Sequence, residues 1–437
     1  MLNQTPLERS NLLDKTDQRY QACLAVLRQE LIPAMGCTEP IAVAYAAAVC
    51  RDLLKEPVRE CALTVSGPII KNVKSVVVPN TGGRRGLEAA VAAGICGGNA
   101  SAGLEVVAGL TEQDRASLTQ FLEQVPVQII PASVQEPLYI DLTLFSRLHS
   151  ARVIISGFHT NLIYQERDGL TIFDHRKSGP IGQSSPEYGA LKVETIWDFV
   201  NSVEMEDIHH TIQRFLSYNL AISQEGLTNA WGAQIGRTLM MSEGTPSVIL
   251  RARAAAAAGS DARMSGCELP VVIVSGSGNQ GITASLPVWV YAQALGSSEE
   301  TLYRALTLSA LIAIHQKTGI GRISAFCGAV CAGVGAGCGI AYLHGADLDT
   351  IQHTIVNALG ILSGMVCDGA KPSCAAKISA AVDAGITGYL MYRNGQQFYA
   401  GDGIIKKGVE NTIRVIGELA SQGMCETDRR ILEIMVR

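Results

Sequence analysis

The spacing of apolar residues predicts helices in the first part of the chain. Asp17 to Leu31 carries apolar side chains three and four residues apart, which is the period of one helix face. Pro40 to Leu54 is Ala-rich and almost wholly apolar, so it predicts a second and more deeply buried helix. The stretch between Pro33 and Pro40 breaks the pattern sharply. Helical spacing with few charges returns beyond residue 190 and continues towards the C-terminus.

The pattern changes between about residues 58 and 189, where short runs rich in β-branched residues predict strands. The predicted strands are Ala62–Ser66, Val73–Val78, Val127–Ile130, Tyr139–Phe145, Arg152–Ser156, Asn161–Gln165 and Leu170–Phe173. Asp168-Gly169, between the last two runs, is a strong hairpin signal. At least one predicted helix, Leu87–Cys96, interrupts the strands. This region is therefore expected to be α+β with mostly antiparallel pairing.

These patterns predict an α+β protein with three segments. Residues 1–57 form N-terminal helices, residues 58–189 a smaller α+β domain, and residues 190–437 a largely helical, Ala/Gly-rich catalytic domain. Because the first segment shares the apolar helical character of the last, we expect the two to pack together, with the α+β domain as an insertion. The Ser-, Gly- and Pro-containing stretch Lys177–Tyr188 is the predicted linker.

Composition and charge narrow the possible partners. The net charge is −5 and no basic stripe occurs, so nucleic acid is an unexpected partner. Ile323–Leu343 has no charged residue and is long enough to span a membrane, but its Gly, Ala, Cys and Ser content predicts a helix buried in protein. The polar N-terminal segment predicts no signal peptide. We therefore expect a cytoplasmic protein without a membrane partner, and apolar helices with few charges predict a homodimer.

The first candidate for chemistry is the thiol of Cys37. The chain has 12 cysteines without a secretory signal, so thiols for chemistry, metals or packing are expected, and disulfides are not. Thr38 is a suitable N-cap and Pro40 is tolerated in a first turn, so a helix is predicted to start beside Cys37. A helix N-terminus lowers a thiol pKa from about 8.5 towards neutrality. Cys37 is therefore a candidate base or nucleophile, the alternative being a small buried residue in a tight turn.

Further cysteines form a candidate metal site. Gly369 and Pro372 forbid a continuous helix between Cys367 and Cys374, so this stretch is a loop that can fold two thiols onto one metal. The alternative is two core cysteines that flank a turn. Cys327 is the favoured third ligand, because a turn precedes the helix that it enters.

Cys331 and Cys338 share a helical stripe with Cys327, at steps of four and seven residues. A cluster that needs a third thiolate could use any of the stripe. For at least two members, packing between closely approaching helices is the expected role.

A Gly-rich loop, Ser275–Gly281, follows a strand-like run and precedes a helix. Backbone N–H groups in such a loop can bind a carboxylate or phosphate, and the Asn279 amide adds a donor. Asp261 and Arg263 provide two charges in an apolar region, which could orient a substrate or form a buried ion pair, and we expect the ion pair. His159 is a candidate for substrate contact, although a single histidine is more often structural.

Together these motifs resemble the L-cysteine desulfidase family of bacteria and archaea, which is similar to the α chain of iron–sulfur L-serine dehydratases. The resemblance covers the chain from about residue 16 to the C-terminus. The matching motifs are Gly36-Cys-Thr-Glu-Pro40, Ser223-Gln-Glu-Gly226, Ser260-Asp-Ala-Arg-Met264, Ser275–Gly281 and the run from Cys367 to Cys374.

This resemblance implies a [4Fe–4S] enzyme that converts the amino acid L-cysteine to hydrogen sulfide, ammonia and pyruvate through 2-aminoacrylate. It implies that Cys327, Cys367 and Cys374 hold the cluster and that Cys37 accepts the Cα proton. Three thiolates leave one iron open, and an open iron can act as a Lewis acid towards the substrate sulfur. Asn279 is then the candidate for binding the substrate carboxylate.

Three alternatives stay open at this point. An iron–sulfur L-serine dehydratase would use the same residues with water as the leaving group. A pyridoxal-phosphate dehydratase would need a lysine shortly before the Gly-rich loop, and none lies between Thr245 and Asn279. A redox or metal sensor would use the same cysteines, but the chain has no signature of a DNA-binding helix.

Overall fold

The computed structural model describes residues 13–176, 186–241 and 244–436. The first residues of the segment for which we predict no signal peptide, 1–12, lie outside this part of the chain. Residues 177–185 of the predicted linker also lie outside it, and the end of that linker belongs to a short helix.

The described residues form helices and two sheets. The helices are α1 Gln18–Glu30, α2 Thr38–Leu54, α3 Gly67–Val73, α4 Gly86–Gly97, α5 Glu112–Gln124, α6 Pro186–Ala190, α7 Val193–Ser202, α8 Met205–Thr228, α9 Ile235–Met240, α10 Val248–Met264, α11 Gly278–Leu295, α12 Glu299–Ile320, α13 Ala329–Leu343, α14 Leu348–Ile361, α15 Cys374–Arg393, α16 Val409–Glu418 and α17 Cys425–Val436. The strands are β1 Pro33–Met35, β2 Glu60–Val65, β3 Val127–Pro131, β4 Tyr139–Phe145, β5 Ser150–Ser156, β6 Leu162–Arg167, β7 Leu170–Asp174 and β8 Pro270–Val272.

The larger sheet has the strand order β3-β2-β4-β5-β6-β7. β2 pairs with β3 in parallel and every other pair is antiparallel, as the strand pattern predicted. The hairpin between β6 and β7 turns at Asp168 and Gly169, whose φ angles of 53° and 78° fit the left-handed conformations of a two-residue turn. The α+β fold class is confirmed.

The predicted strand Val73–Val78 is wrong. Its first residue ends α3, and the residues that follow form a loop with one isolated bridge, from Val77 to Arg85. Pro68 lies in the first turn of α3, where its missing N–H costs no hydrogen bond. Val76 and Val78 lie in this loop, and their apolar side chains are nevertheless buried, so their burial does not require a strand.

The Ala/Gly-rich half is a set of closely packed helices. A side chain at Gly333 of α13 would lie 2.3 Å from the Ala381 carbonyl oxygen of α15. One at Gly337 would lie 2.4 Å from the Gly385 carbonyl oxygen. The small residues therefore allow the two backbones to touch, as expected for the buried stretch.

The predicted buried helix Ile323–Leu343 is wrong at its start, because α13 begins at Ala329 and residues 323–328 form a loop. In the part of the chain that the structure describes, no helix has the length and apolar character needed to cross a membrane.

The N-terminal helices have different neighbours. α1 lies against α6, α7, α8 and α12, whereas α2 packs on α4 and on strands β4 and β5 of the larger sheet. The division of the chain at residues 57 and 189 remains a prediction. The small sheet links the two parts, because β1 pairs antiparallel with β8 and so joins the start of α2 to the start of α11.

Candidate functional site

The candidate site is a cavity of about 100 Å³ between the start of α2, the start of α11 and the loops before α13 and α15. The chemically active side chains on its wall are Cys37, Glu39, Asn72, Arg263, Asn279, Gln280, Lys317, Arg322, Cys327, Cys367 and Cys374. Five of the six residues predicted from the sequence therefore share one cavity.

Pairing of β1 with β8 explains why Cys37 and the Gly-rich loop meet. Both strands end just before these elements, and the Thr38 hydroxyl donates to the Gly276 carbonyl oxygen at 2.8 Å. The expectation that Thr38 caps α2 is wrong: Cys37 occupies the N-cap position, and no side chain makes the capping hydrogen bond. The Thr38 hydroxyl instead fixes the loop next to the thiol.

The Cys37 thiol is protonated in this arrangement, which corrects the expected lowering of its pKa. Burial raises the pKa of Cys37 well above its usual value, and the neighbouring Glu39 carboxylate raises it further. The charge of Arg263 opposes both effects without overcoming them. The helix N-terminus is outweighed because a thiolate here would lose its hydration and face a carboxylate. The Cys37 sulfur donates to Glu39 Oε2 at 2.9 Å.

Glu39 is held as an ionised acceptor. Asn72 Nδ2 donates to its Oε1 at 3.1 Å, and the Thr38 hydroxyl, whose shorter hydrogen bond goes to Gly276, lies 3.2 Å from its Oε2. Burial alone would raise the pKa of Glu39, yet that pKa lies below its usual range. In the acidic range where Glu39 titrates, the charge of a protonated His159 and the hydrogen bond from Cys37 favour the carboxylate. Cys37 and Glu39 thus form a thiol–carboxylate pair within the cavity.

Two of the predicted metal ligands are brought together by the backbone. Phe326 and Val366 form an isolated antiparallel bridge. The Cys327 N–H donates to the Met365 carbonyl at 2.8 Å, and the Cys367 N–H donates to the Ala325 carbonyl at 2.6 Å. The loop before α13 and the loop before α15 are thus joined at this point, and their cysteines lie side by side.

The Cys327 thiol donates a hydrogen bond to the Cys367 sulfur, which lowers the pKa of Cys367. The charges of Lys71 and Lys317 lower it further. Cys374 begins α15 on the same cavity wall, and burial raises the pKa of its thiol. The hydrogen bond from Cys327 and the two lysine charges therefore favour the thiolate form of Cys367.

Lys71 holds the backbone of the loop that carries Cys367. Its side chain is 1% exposed, forms an ion pair with Asp428 of α17, and donates to the Cys367 carbonyl at 3.2 Å. A buried ammonium paired in this way fixes the backbone beside the thiol. Gly369 has φ of 94°, and a side chain there would lie 2.5 Å from the Lys71 carbonyl oxygen. Glycine is therefore required where the loop passes Lys71.

The donor set fits an iron–sulfur cluster by its chemistry. Cys327, Cys367 and Cys374 share one wall, and Lys71 and Lys317 provide positive charge that favours thiolates. Among the described residues, no three His, Cys, Asp or Glu side chains are grouped so as to hold a metal ion. A cluster differs from a single ion because each thiolate binds a separate iron, so its ligands need a shared cavity and not a common point.

The other two cysteines of the stripe have the expected packing role. Cys331 and Cys338 lie inside α13 and are fully buried. Burial raises the pKa of Cys331 to about 11. Neither is among the described residues that line the cavity.

The Gly-rich loop leads from β8 into α11, as predicted. The expected ion pair between Asp261 and Arg263 is wrong. Asp261 Oδ2 accepts from the Gly236 N–H at 3.0 Å, whereas Arg263 Nη1 donates to Asn279 Oδ1 at 3.1 Å. The two charges thus serve different neighbours, because they lie two residues apart on α10 and point in different directions.

His159 lies behind the wall and is not among the described lining residues. A side chain at Gly276 would reach to within 2.9 Å of its ring. Burial lowers the pKa of His159 to about 4, so the ring is neutral near pH 7. Its Nε2 is buried without a hydrogen-bond partner among the described residues. The predicted contact of His159 with a substrate stays a prediction.

The sequence reasoning missed several polar residues of the site. Glu39 was visible as an acid in the first turn beside Cys37, and Lys317 as a charge that follows a long apolar run. Lys317 is 4% exposed, and burial lowers its pKa. Its position shortly after the apolar run 305–314 was the signal that could have identified it, since charged residues are seldom fully buried without a role.

Fold and site together define an α+β protein with a cysteine-lined, cation-rich cavity for a small molecule. A family model described as the serine dehydratase alpha chain matches residues 89–433. The chain belongs to this family, which is one of amino-acid lyases.

Relatives match along almost the whole chain. A UPF0597 protein of Desulfitobacterium hafniense is 51% identical, with 97% of this chain and 98% of the relative covered. A UPF0597 protein of Lachnoclostridium phytofermentans is 45% identical, with 95% and 100% covered. One of Finegoldia magna is also 45% identical, with 94% and 98% covered.

Proposed function

We propose that this protein is an iron–sulfur L-cysteine desulfidase, which eliminates sulfide from L-cysteine and yields ammonia and pyruvate. The observation that carries this proposal is one cavity shared by Cys37 and by the thiols of Cys327, Cys367 and Cys374. A proton acceptor and a metal-binding wall are both needed to break a Cα–H bond and a Cβ–S bond in the same small molecule. Membership of an amino-acid lyase family supports the same class of reaction.

Cys327, Cys367 and Cys374 would hold the [4Fe–4S] cluster. When bound, the cluster supplies an iron with an open coordination position that acts as a Lewis acid towards the leaving group. The chain positions these thiols through the paired loops at Phe326 and Val366. Lys317 on the same wall balances part of the negative charge of the thiolates.

Cys37 accepts the Cα proton after its own proton has moved to Glu39. The thiol already donates to Glu39 Oε2 at 2.9 Å, so this transfer needs no rearrangement. The thiolate then takes the proton from Cα, and the electron pair of that bond forms the Cα–Cβ double bond as sulfide leaves. The product, 2-aminoacrylate, tautomerises to the imine, and water converts the imine to pyruvate and ammonia. Burial of the pair excludes water from the step.

Asn279 is the residue first predicted to bind the substrate carboxylate. Its Oδ1 accepts from Arg263, so its amide nitrogen is the group that can donate to the substrate. We expect an Asn279→Ala variant to bind L-cysteine more weakly. Unchanged affinity and unchanged rate in this variant would rule Asn279 out.

The decisive experiment uses protein purified without oxygen. Iron and acid-labile sulfide are measured together with the visible spectrum, and sulfide release from L-cysteine is compared with ammonia release from L-serine. A broad brown absorbance with about four irons per chain, lost in air together with sulfide release, supports the proposal. Colourless protein with full activity would contradict the cluster assignment.

L-Serine dehydration is the second candidate, because the matching family model is described as a serine dehydratase alpha chain. It requires the same proton transfer from Cα, with hydroxide in place of sulfide as the leaving group. The ratio of kcat/KM for the two amino acids separates the candidates. A higher value for L-serine would make this protein a serine dehydratase.

We also propose that the protein assembles as a homodimer, because its helices are apolar and carry few charges.

A further inference from the structure

Arg263 is a buried cation with unused hydrogen-bonding capacity on the cavity wall. It lies in the last turn of α10, is 2% exposed, and its Nε has no hydrogen-bond partner among the described residues. None of the ion pairs within the described residues includes it. A buried charge without a counter-ion is costly, so a site that keeps one is suited to receive an anion.

Glu39, the acidic residue of the same cavity, makes no hydrogen bond to Arg263 and does not serve as its paired anion. Glu39 is the acid among the described lining residues, and its oxygens accept from Cys37 and Asn72. Arg263 affects Glu39 only through the field of its charge. The guanidinium therefore keeps most of its donors for another partner.

The start of α11 adds donors at the same place. The N-cap residue Ser277 makes no side-chain capping hydrogen bond, and the following residues Asn279 and Gln280 line the cavity. The first N–H groups of a helix and its dipole favour an anion. The N-terminus of this 18-residue helix and the buried guanidinium therefore both favour an anion at the same place.

Gly278 allows the two elements to come together. A side chain at this position would lie 2.4 Å from Arg263 Nε and 2.8 Å from its Cζ. Only glycine lets the guanidinium lie against the first turn of α11. The hydrogen bond from Arg263 Nη1 to Asn279 Oδ1 fixes the orientation of the guanidinium group.

We propose that Arg263 is the principal binding residue for the substrate α-carboxylate, held in place by Asn279 and assisted by the first turn of α11. This inference rests on the proposed function, in which the substrate is a small amino acid. An arginine can bind a carboxylate through two parallel hydrogen bonds, which also fixes the rotation of the substrate. The site therefore requires a free carboxylate, and an amide or ester of the same amino acid is excluded.

The first test uses binding to the unaltered protein. L-Alanine carries the carboxylate and ammonium groups but no leaving group, and L-alaninamide lacks the carboxylate. L-Alanine is expected to raise Tm in a thermal unfolding assay, and L-alaninamide is not. Equal shifts with the two probes, or no shift with L-alanine, would overturn the assignment of Arg263.

The second test uses an Arg263→Gln variant, with Arg251→Gln as the matched control. Arg251 lies on the same helix and is exposed. We expect Arg263→Gln to lose the L-alanine shift and to raise KM for L-cysteine at least about tenfold, as the loss of a charge-assisted hydrogen bond requires. Added guanidinium ion at low concentration should lower KM again in an Arg263→Ala variant and not in Arg251→Ala. Unchanged KM in both Arg263 variants would disprove the role.

These measurements separate the inference from the proposed function. If the unaltered protein turned over neither L-cysteine nor L-serine, the proposed function would fail, and the two alanine probes would still test Arg263. If turnover is present while L-alaninamide binds as well as L-alanine, the proposed function stands and the inference fails. A Gly278→Ala variant, which retains Arg263 but displaces it, should raise KM in the same direction.

Discussion

The Cys37 thiol donates a hydrogen bond to the Glu39 carboxylate at 2.9 Å, across the first turn of α2. This relationship means that the residue proposed to take the substrate proton is protonated at rest. Burial and the carboxylate both raise the pKa of Cys37, whereas the pKa of Glu39 is lowered. The thiol is thus a weak acid beside a weakly basic carboxylate, so the shared proton rests on the Cys37 sulfur.

Glu39→Gln is expected to lower kcat for sulfide release by about 10²–10⁴-fold, the range for loss of a general base. Glutamine keeps the size of the side chain but cannot accept the thiol proton. Cys37→Ala should lower kcat to a similar extent, and the double variant should be no worse than either single variant. Steady-state kinetics on L-cysteine test this, with exposed Glu112→Gln as the control. Full activity of Glu39→Gln would show that Cys37 loses its proton by another route.

Serine substitution of Cys327, Cys367 or Cys374 is expected to abolish iron binding and the visible absorbance. A hydroxyl is a far weaker ligand for iron than a thiolate, and each of these side chains lines the cavity. Cys37→Ala should keep the colour while losing turnover. Cys425→Ser, at an exposed position on α17, is the matched control. Retention of a full complement of iron in Cys367→Ser would refute the ligand assignment.

Asp428→Asn is expected to destabilise the protein by about 3 kcal/mol, because it leaves the buried Lys71 ammonium without its carboxylate. Lys71 also holds the Cys367 carbonyl, so iron should be lost faster on exposure to a chelator. Denaturant unfolding and the rate of iron release measure the two effects. Glu426→Gln, on the exposed side of the same helix, should change neither. Destabilisation without faster iron release would separate the ion pair from the cluster loop.

Asp261→Asn is expected to stabilise the folded protein near neutral pH. Burial raises the pKa of Asp261 from 3.8 to about 6, so the folded chain binds this proton more tightly than the unfolded chain does. The resulting stabilisation is complete below about pH 4 and is lost as the pH rises through about 6. At pH 7 the neutral amide avoids this loss, and the gain is of the order of 2–3 kcal/mol.

The measurement is the free energy of unfolding of both proteins at pH 5 and pH 7. The advantage of Asp261→Asn should be larger at pH 7. An advantage that is equal at the two pH values would mean that Asp261 does not titrate in this range.

The sequence by itself determined most of the local structure and the set of reactive residues. Hydrophobic periodicity identified α1, α2 and most strands of the larger sheet, because burial of one face imposes a period of 3.6 or 2 on the chain. Gly36, Pro40 and the broken stretch after Cys367 marked where helices begin. The motifs pointed to Cys37, Cys327, Cys367, Cys374 and Asn279, which lie around one cavity.

Only the tertiary structure decided how these groups behave. The pairing of Phe326 with Val366, which places two thiols together, joins segments whose separation along the chain carries no signal of contact. The protonation of Cys37 depends on burial and on Glu39, and local position at a helix start predicted the opposite direction. Arg263 was expected to pair with Asp261, yet it donates to Asn279 because α10 and α11 pack against each other. Desolvation and charge are properties of the whole packed cavity. The spacing of residues along the chain therefore identified residues that line the cavity, but it could not predict their protonation states.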